Sequence, residues 1–206
     1  KALAAAFKER IGNRPVVVCA STRFYKGQDE AEMLLEAWKR YKGDALLVII
    51  PRHPERFQTT FSRAEDMGYR VQYRSDNLPV DKKTQIWIGD SMGELFAYYL
   101  AADIAFVGGS LVDAGCQNVI EPISCGIPTL FGCSTYNFAA VCQDAIRARA
   151  AEQVVSAERW YEKTTSWLAN PSEKERFSQK ALEFIGKHQG ASKRMADQIA
   201  KAVIRQ

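Results

Sequence analysis

Short, almost unbroken apolar runs alternate along this chain with longer stretches in which apolar residues recur every three or four positions. The short runs at 16–20, 45–50, Ile86–Ile88, Ile104–Val107 and Thr129–Phe131 are predicted strands, with Val71–Tyr73 and 153–155 as two weaker ones. They lack an in–out alternation, as strands covered on both faces do. Helical spacing appears at Ala2–Ile11, 29–41 (Met33, Leu34, Ala37, Trp38, Tyr41), 56–67, 94–102 and 138–148. Beyond Val155 the pattern predicts amphipathic helices at 158–169, 172–185 and 192–204, with a break at Asn170-Pro171 and hinges at Gly186 and Gly190. Strands alternating with helices predict an α/β fold, a Rossmann-like doubly wound parallel sheet with helices on both faces. One domain is expected over 1–206, with no internal repeat.

Composition agrees with that picture. At 206 residues, 47% apolar, 25% charged and 11% aromatic, the chain is globular rather than disordered. A domain of this size buries on the order of 70% of its unfolded surface and folds without disulfides or a structural metal. The net charge of +4 comes from 28 basic and 24 acidic residues spread along the chain, so no basic arm points to a nucleic-acid partner. The longest charge-free run, 122–143, is interrupted by Pro122, Gly126, Pro128, Gly132 and Asn137, and no membrane-spanning helix is expected. Five cysteines without a C-x-x-C pair read as reduced, partly buried thiols. The chain opens on Lys1 within a helical pattern, and is expected to be a piece of a longer protein.

In a doubly wound sheet ligands bind beyond the carboxyl ends of the strands, so the loops there are the places to look. Ser21-Thr22-Arg23 offers two hydroxyls and a guanidinium to a phosphate or carboxylate, or else an N-cap turn with a solvated arginine. In Pro51-Arg52-His53-Pro54 the prolines restrict the backbone around two basic side chains, which suits an anion site as well as a surface turn. Ser91 and Glu94 have the spacing of a capping box, whereas Gly93 lets a ligand approach the backbone. Gly108-Gly109-Ser110 would present free N–H groups to a phosphate, or form a turn. Asn118-Val119-Ile120-Glu121-Pro122 starts a short helix closed by Gly126. There Asn118 and Glu121 serve as cap and first-turn carboxylate, or Glu121 accepts both hydroxyls of a vicinal diol such as a ribose.

Taken together, these motifs resemble the 3-deoxy-D-manno-octulosonic acid (Kdo) transferases of lipopolysaccharide assembly, two-lobed enzymes of the GT-B fold. The resemblance is carried by 20–22 (AST), 51–57 (PRHPERF), 89–95 (GDSMGEL), 102–111 (ADIAFVGGSL), 118–122 (NVIEP) and Asn137-Phe138, in the family's order over roughly residues 15–145. It implies the C-terminal, donor-binding half of such an enzyme, with CMP-Kdo as the donor. It further implies nucleotide contacts from Pro51 and Arg52, a base and ribose lining from Met92, Gly93 and Glu94, and ribose and phosphate contacts from Asn118, Val119, Ile120 and Glu121. His53, Gly109 and Ser110 would be neighbours, and Ser21, Thr22 and Arg23 would face the donor sugar or phosphate. The family's catalytic base lies in the other lobe, so no catalytic residue and no turnover are expected of this chain.

The resemblance also implies a lipid A precursor (lipid IVA) met through the other lobe at the cytoplasmic face of the inner membrane. Segments 1–14 and 186–206 would reach toward that lobe. Lys26, Lys39, Arg40 and Lys42 would either touch lipid headgroups or form a solvated helix face. No Asp-x-Asp occurs, so neither a metal nor a cofactor beyond the donor is expected. Two stretches depart from the family: 23–30 is longer and more aromatic, and Gly115-Cys116-Gln117 stands where the family favours Gly-Gly-His. Two further possibilities stay open on the residues alone. One is a GT-B enzyme using a UDP-sugar; the other is a binding module without catalysis, in which both acidic pairs are only caps.

Overall fold

Valine, leucine and isoleucine fill the strands without alternation because helices cover both faces of the sheet, as the computed structural model shows for residues 1–204, with side chains through Lys187. In chain order the elements are α1 (Ala2–Ile11), β1 (Val16–Thr22), β2 (Phe24–Tyr25), β3 (Gln28–Asp29), α2 (Glu30–Trp38), β4 (Leu46–Pro51) and α3 (Phe57–Asp66). They continue with β5 (Val71–Tyr73), β6 (Ile86–Ile88), α4 (Leu95–Ala101), β7 (Ile104–Val107), α5 (Ile120–Ser124) and β8 (Thr129–Phe131). The last are α6 (Ala139–Arg147), β9 (Ala151–Gln153), α7 (Ala157–Ala169) and α8 (Pro171–Ile204), and 3-10 turns at Pro54–Arg56 and Arg74–Asp76 complete the set.

Seven strands run parallel in the order β5-β6-β4-β1-β7-β8-β9. The chain leaves β1 toward β4 on one side and returns to β7 on the other, so the connections diverge above the carboxyl ends of β1 and β7. Successive β1 residues feed opposite cores. Val17 and Cys19 pack toward α2 and α7, whereas Val16, Val18 and Ala20 pack toward α1 and α4. A third core gathers Val107, Val119, Ile123, Phe131, Ala181 and Phe184 under α5, α6 and α8. α1 spends its apolar face within this chain, where Phe7 lies 5.3 Å from the ring of Trp87 and 4.8 Å from that of Tyr98.

The predicted strands and helices are present, with three corrections. β9 lies at Ala151–Gln153 rather than 153–155, because Val154 turns into the core and Val155 is 72% exposed. A single α8 replaces the two predicted helices and runs through Gly186 and Gly190. A helical glycine costs about 1 kcal/mol relative to alanine, too little to stop a helix of that length. The apolar stripe of Met195, Ile199 and Val203 on the last predicted helix would pack either on the other lobe or locally, and these side chains lie outside the described ones. The unpredicted β2–β3 ribbon turns on the left-handed Lys26 and Gly27 (φ 48° and 81°). Among the described residues no helix is long and apolar enough to cross a membrane.

Candidate functional site

β1 ends in a bulge. Ser21 takes a left-handed φ of 57°, and the ladder to β4 slips a residue between Ala20 and Thr22. The bulge presses the backbone against the end of β7. A Cβ on Gly108 would stand 2.5 Å from the Ser21 carbonyl oxygen and 2.7 Å from the Thr22 nitrogen. Glycine is therefore required there by close approach. The Arg52 N–H donates to the Thr22 carbonyl (3.0 Å), which brings the end of β4 to the same place. Thr22 Oγ1 and Arg23 Nε are buried at this junction with no hydrogen-bond partner among the described residues. Native structures leave few such atoms, and those left call for a ligand or a water.

The junction opens into a cleft of about 120 Å³ lined by Ser21, Pro51, Arg52, Ser91, Met92 and Gly93, with Tyr98 as its floor. The Arg52 and His53 side chains are exposed after β4, and Met92 is 59% exposed. Gly93 adopts φ 76° with no heavy atom within 4 Å of a built Cβ, so the chain turns there and leaves open space. A larger hollow of about 370 Å³ beside β9 is lined by Glu152, Arg159, Lys163 and their neighbours. It contains none of the residues singled out in the sequence, and Lys163 is already paired with Glu152 and Glu173.

The capping box is not formed. α4 starts at Leu95, and Ser91 Oγ instead meets the Tyr98 hydroxyl at 2.9 Å. Glu94 forms an ion pair with Arg74, accepting a hydrogen bond from Nη2 (2.8 Å) with Nε 2.7 Å from its other oxygen. With Asp90, which accepts the Ser75 N–H (2.9 Å), it fixes the Arg74–Asp76 turn beside the cleft. Glu94 thus shapes the cleft with its carboxylate already engaged.

The N–H groups after β7 are not free either. The wholly buried Glu30 side chain accepts hydrogen bonds from Gly109 (2.6 Å), Ser110 (3.1 Å), Leu111 (2.9 Å) and Arg23 (3.1 Å). Burial pushes its carboxyl above the usual range, and these donors oppose that rise. The Ser110 hydroxyl is equally occupied, donating to the Val107 carbonyl (2.5 Å) and accepting the Gly132 N–H (2.7 Å). Gly109 and Ser110 therefore spend these polar groups within the chain. Sequence alone does not single out Glu30, because an acid in the first turn of a helix is explained by the helix dipole.

The N–H groups of Cys116 and Gln117 donate to the carbonyls of Gly109 (2.9 Å) and Gly108 (3.0 Å), carrying Asn118 alongside the β7 loop. Asn118 Oδ1 accepts the Ile120 N–H (3.0 Å), and its Nδ2 donates to Glu121 Oε1 (3.4 Å). Half-burial raises the Glu121 carboxyl, while Asn118 and the Arg52 guanidinium draw it back. Arg52 on the β4 loop therefore lies close enough to α5 for Glu121 to feel its charge. Val119 is buried in the third core with Ile120 packed against it, so these side chains anchor α5 rather than line the cleft. Asn137 Nδ2 donates to the Ala114 carbonyl (3.2 Å) and steadies the departing Gly115-Cys116-Gln117 stretch. Of the basic residues considered for lipid contact, Lys26 pairs with Asp113 (3.4 Å) and Arg40 with Glu158 (3.1 Å), both at the surface.

Residues 4–184 match the family model of glycosyl transferases, group 1. A 3-deoxy-D-manno-octulosonic acid transferase of Bordetella pertussis is 35% identical over 189 residues, covering 89% of this chain and 44% of that protein. A transferase of the same description from Haemophilus influenzae is 33% identical over 189 residues, covering 90% of this chain and 43% of that protein. The chain thus spans less than half the length of these relatives. Among solved structures, the C-terminal CMP-Kdo binding domain of WaaA from Acinetobacter baumannii matches with a TM-score of 0.82 at 30% identity, covering 88% of this chain and 95% of that domain. The architecture is that of the C-terminal half of a GT-B glycosyltransferase.

Proposed function

This chain belongs to the group 1 glycosyl transferases, and from that premise we propose that it is the donor-binding half of a Kdo transferase and binds CMP-Kdo. The observation that carries this reading is the cleft at the sheet's switch point lined by Pro51, Arg52, Met92 and Gly93, with Glu121 close enough to feel the charge of Arg52 and bonded by Asn118. The Glu121 carboxylate accepts the hydroxyls of the ribose. Met92 and Gly93 give the base an apolar edge and an open backbone. Arg52 meets the phosphate. The buried, unpartnered Thr22 Oγ1 and Arg23 Nε supply polar contacts for the donor's anionic sugar.

The whole enzyme, on this reading, transfers Kdo to a lipid A precursor (lipid IVA) at the cytoplasmic face of the inner membrane. An acceptor hydroxyl forms the new bond to the anomeric carbon while the bond from that carbon to the CMP phosphate breaks. Negative charge grows on the departing phosphate, and the Arg52 guanidinium stabilises that charge. The base that takes the acceptor proton belongs to the other lobe, so this chain alone binds donor without turnover.

Calorimetric titration of CMP into the wild-type chain, Arg52→Ala and Glu121→Ala tests the proposal. CMP binding weakened about tenfold or more in each folded variant is the expected result, the loss of one charge-assisted contact. Equal affinity in all three proteins, or no binding by the wild type, removes the donor site.

A further inference from the structure

Gly109, Ser110 and Leu111 point successive N–H groups into one small concavity, the backbone arrangement that elsewhere cradles phosphates. It sits at the switch point, where the phosphates of a bound nucleotide are expected in a doubly wound sheet. Here the concavity is already filled. Glu30 enters from α2 and takes all three donors together with the Arg23 N–H.

Nothing about helix α2 requires this. Asp29 already caps the helix by accepting the Ala31 N–H (3.0 Å), and Glu32 adds a second acid to its first turn. Burying a carboxylate is costly, so its place in the core needs another reason. The loop it fills is continuous with the site, because the Cys116 and Gln117 N–H groups bind the carbonyls of Gly109 and Gly108 just before Asn118.

We propose that Glu30 is a specificity-determining positioning residue: by occupying the anion nest it limits the site to nucleotides with one phosphate and turns away nucleoside diphosphates. The inference rests on the donor-binding reading above and deepens it. A first phosphate reaches Arg52 beside Glu121; a second, placed toward the β7 loop, finds its N–H donors spent and an acidic side chain in their midst. Glu30 acts here through the loop, without touching the nucleotide.

Amide NMR titrations of the chain with CMP, CDP and inorganic phosphate, in the wild type, Glu30→Gln and Glu30→Ala, test this. In the wild type CMP binds about tenfold tighter than CDP, a difference of one lost set of charge-assisted contacts, and the Gly109, Ser110 and Leu111 amides stay unmoved by phosphate. In E30A the deficit of CDP shrinks and phosphate shifts those three amides saturably, while E30Q, which keeps the nest occupied, lies between.

A purely structural role predicts lower stability with the CDP-to-CMP ratio unchanged, and that result overturns the proposal. So does wild-type binding of CDP as tight as CMP with the nest amides moving, a comparison that needs no variant to fold. If the wild type binds neither nucleotide, the donor reading falls and the selectivity falls with it. Intact CMP binding with an unchanged ratio in E30A defeats only the selectivity.

Discussion

Two carboxylates set the character of this site, and their surroundings divide the work between them. Glu121 is half-buried in the first turn of α5, with Asn118 bonded to it and the charge of Arg52 at hand. Glu121→Gln keeps the shape and loses the charge, and CMP binding is expected to weaken by about 1–2 kcal/mol in calorimetry, the difference between a charged and a neutral acceptor. Glu30 is wholly buried, and in the folded chain its carboxyl is lifted above its ordinary 4.5. The folded chain therefore keeps this proton over a pH range in which the unfolded chain has released it. The contribution of the group to stability is greatest below pH 4.5 and declines as pH rises through the folded pKa. Neighbouring thiols at Cys19 and Cys116 are raised by burial and hydrogen bonding, and stay neutral throughout that range. Urea denaturation of wild type and Glu30→Gln is expected to show the wild type losing ground relative to the variant as pH rises from about 4 to about 7. The opposite slope would mean that the four donors outweigh burial.

At the scale of elements, close backbone approach holds the loops in register. Gly108→Ala places a methyl group 2.5 Å from the Ser21 carbonyl oxygen, where backbone rather than a flexible side chain must yield. A loss of about 2–3 kcal/mol in chemical denaturation is expected, the usual effect of overpacking a tight junction. Asp29→Ala removes the α2 cap and is expected to cost about 1 kcal/mol by the same assay. The strands and most helices were legible in the sequence because an unbroken apolar run suits a strand covered on both faces and three-to-four spacing suits a helix with one buried face. The motif loops then fell where the sheet topology requires. Local spacing misled at Ser91 and Glu94. The partner of Glu94 is Arg74, 20 residues upstream, and no local pattern announces an ion pair across that distance. Glu30 was hidden for the same reason, since its acceptor role depends on a loop about 80 residues away.

For the whole molecule, α8 ties the sheet's far side to its centre. Lys174 binds Asp103 Oδ1 (2.7 Å), and Asp103 Oδ2 accepts the Val16 N–H at the start of β1 (2.9 Å). Phe177 stands 4.6 Å from the Trp167 ring and is buried in the first core. Phe177→Ala is expected to lower stability by about 3–4 kcal/mol in denaturant titration, the range for emptying a buried aromatic site. The chain thus carries its own cores, while Met92 stands exposed on the lining of the cleft. The most direct test of the donor-binding proposal is a backbone amide titration with CMP, with UMP and UDP as controls. Selective CMP shifts at Arg52, Met92, Gly93, Asn118 and Glu121 are the predicted result. Equal or stronger response to UDP, or no shifts in the folded chain at millimolar CMP, would contradict it.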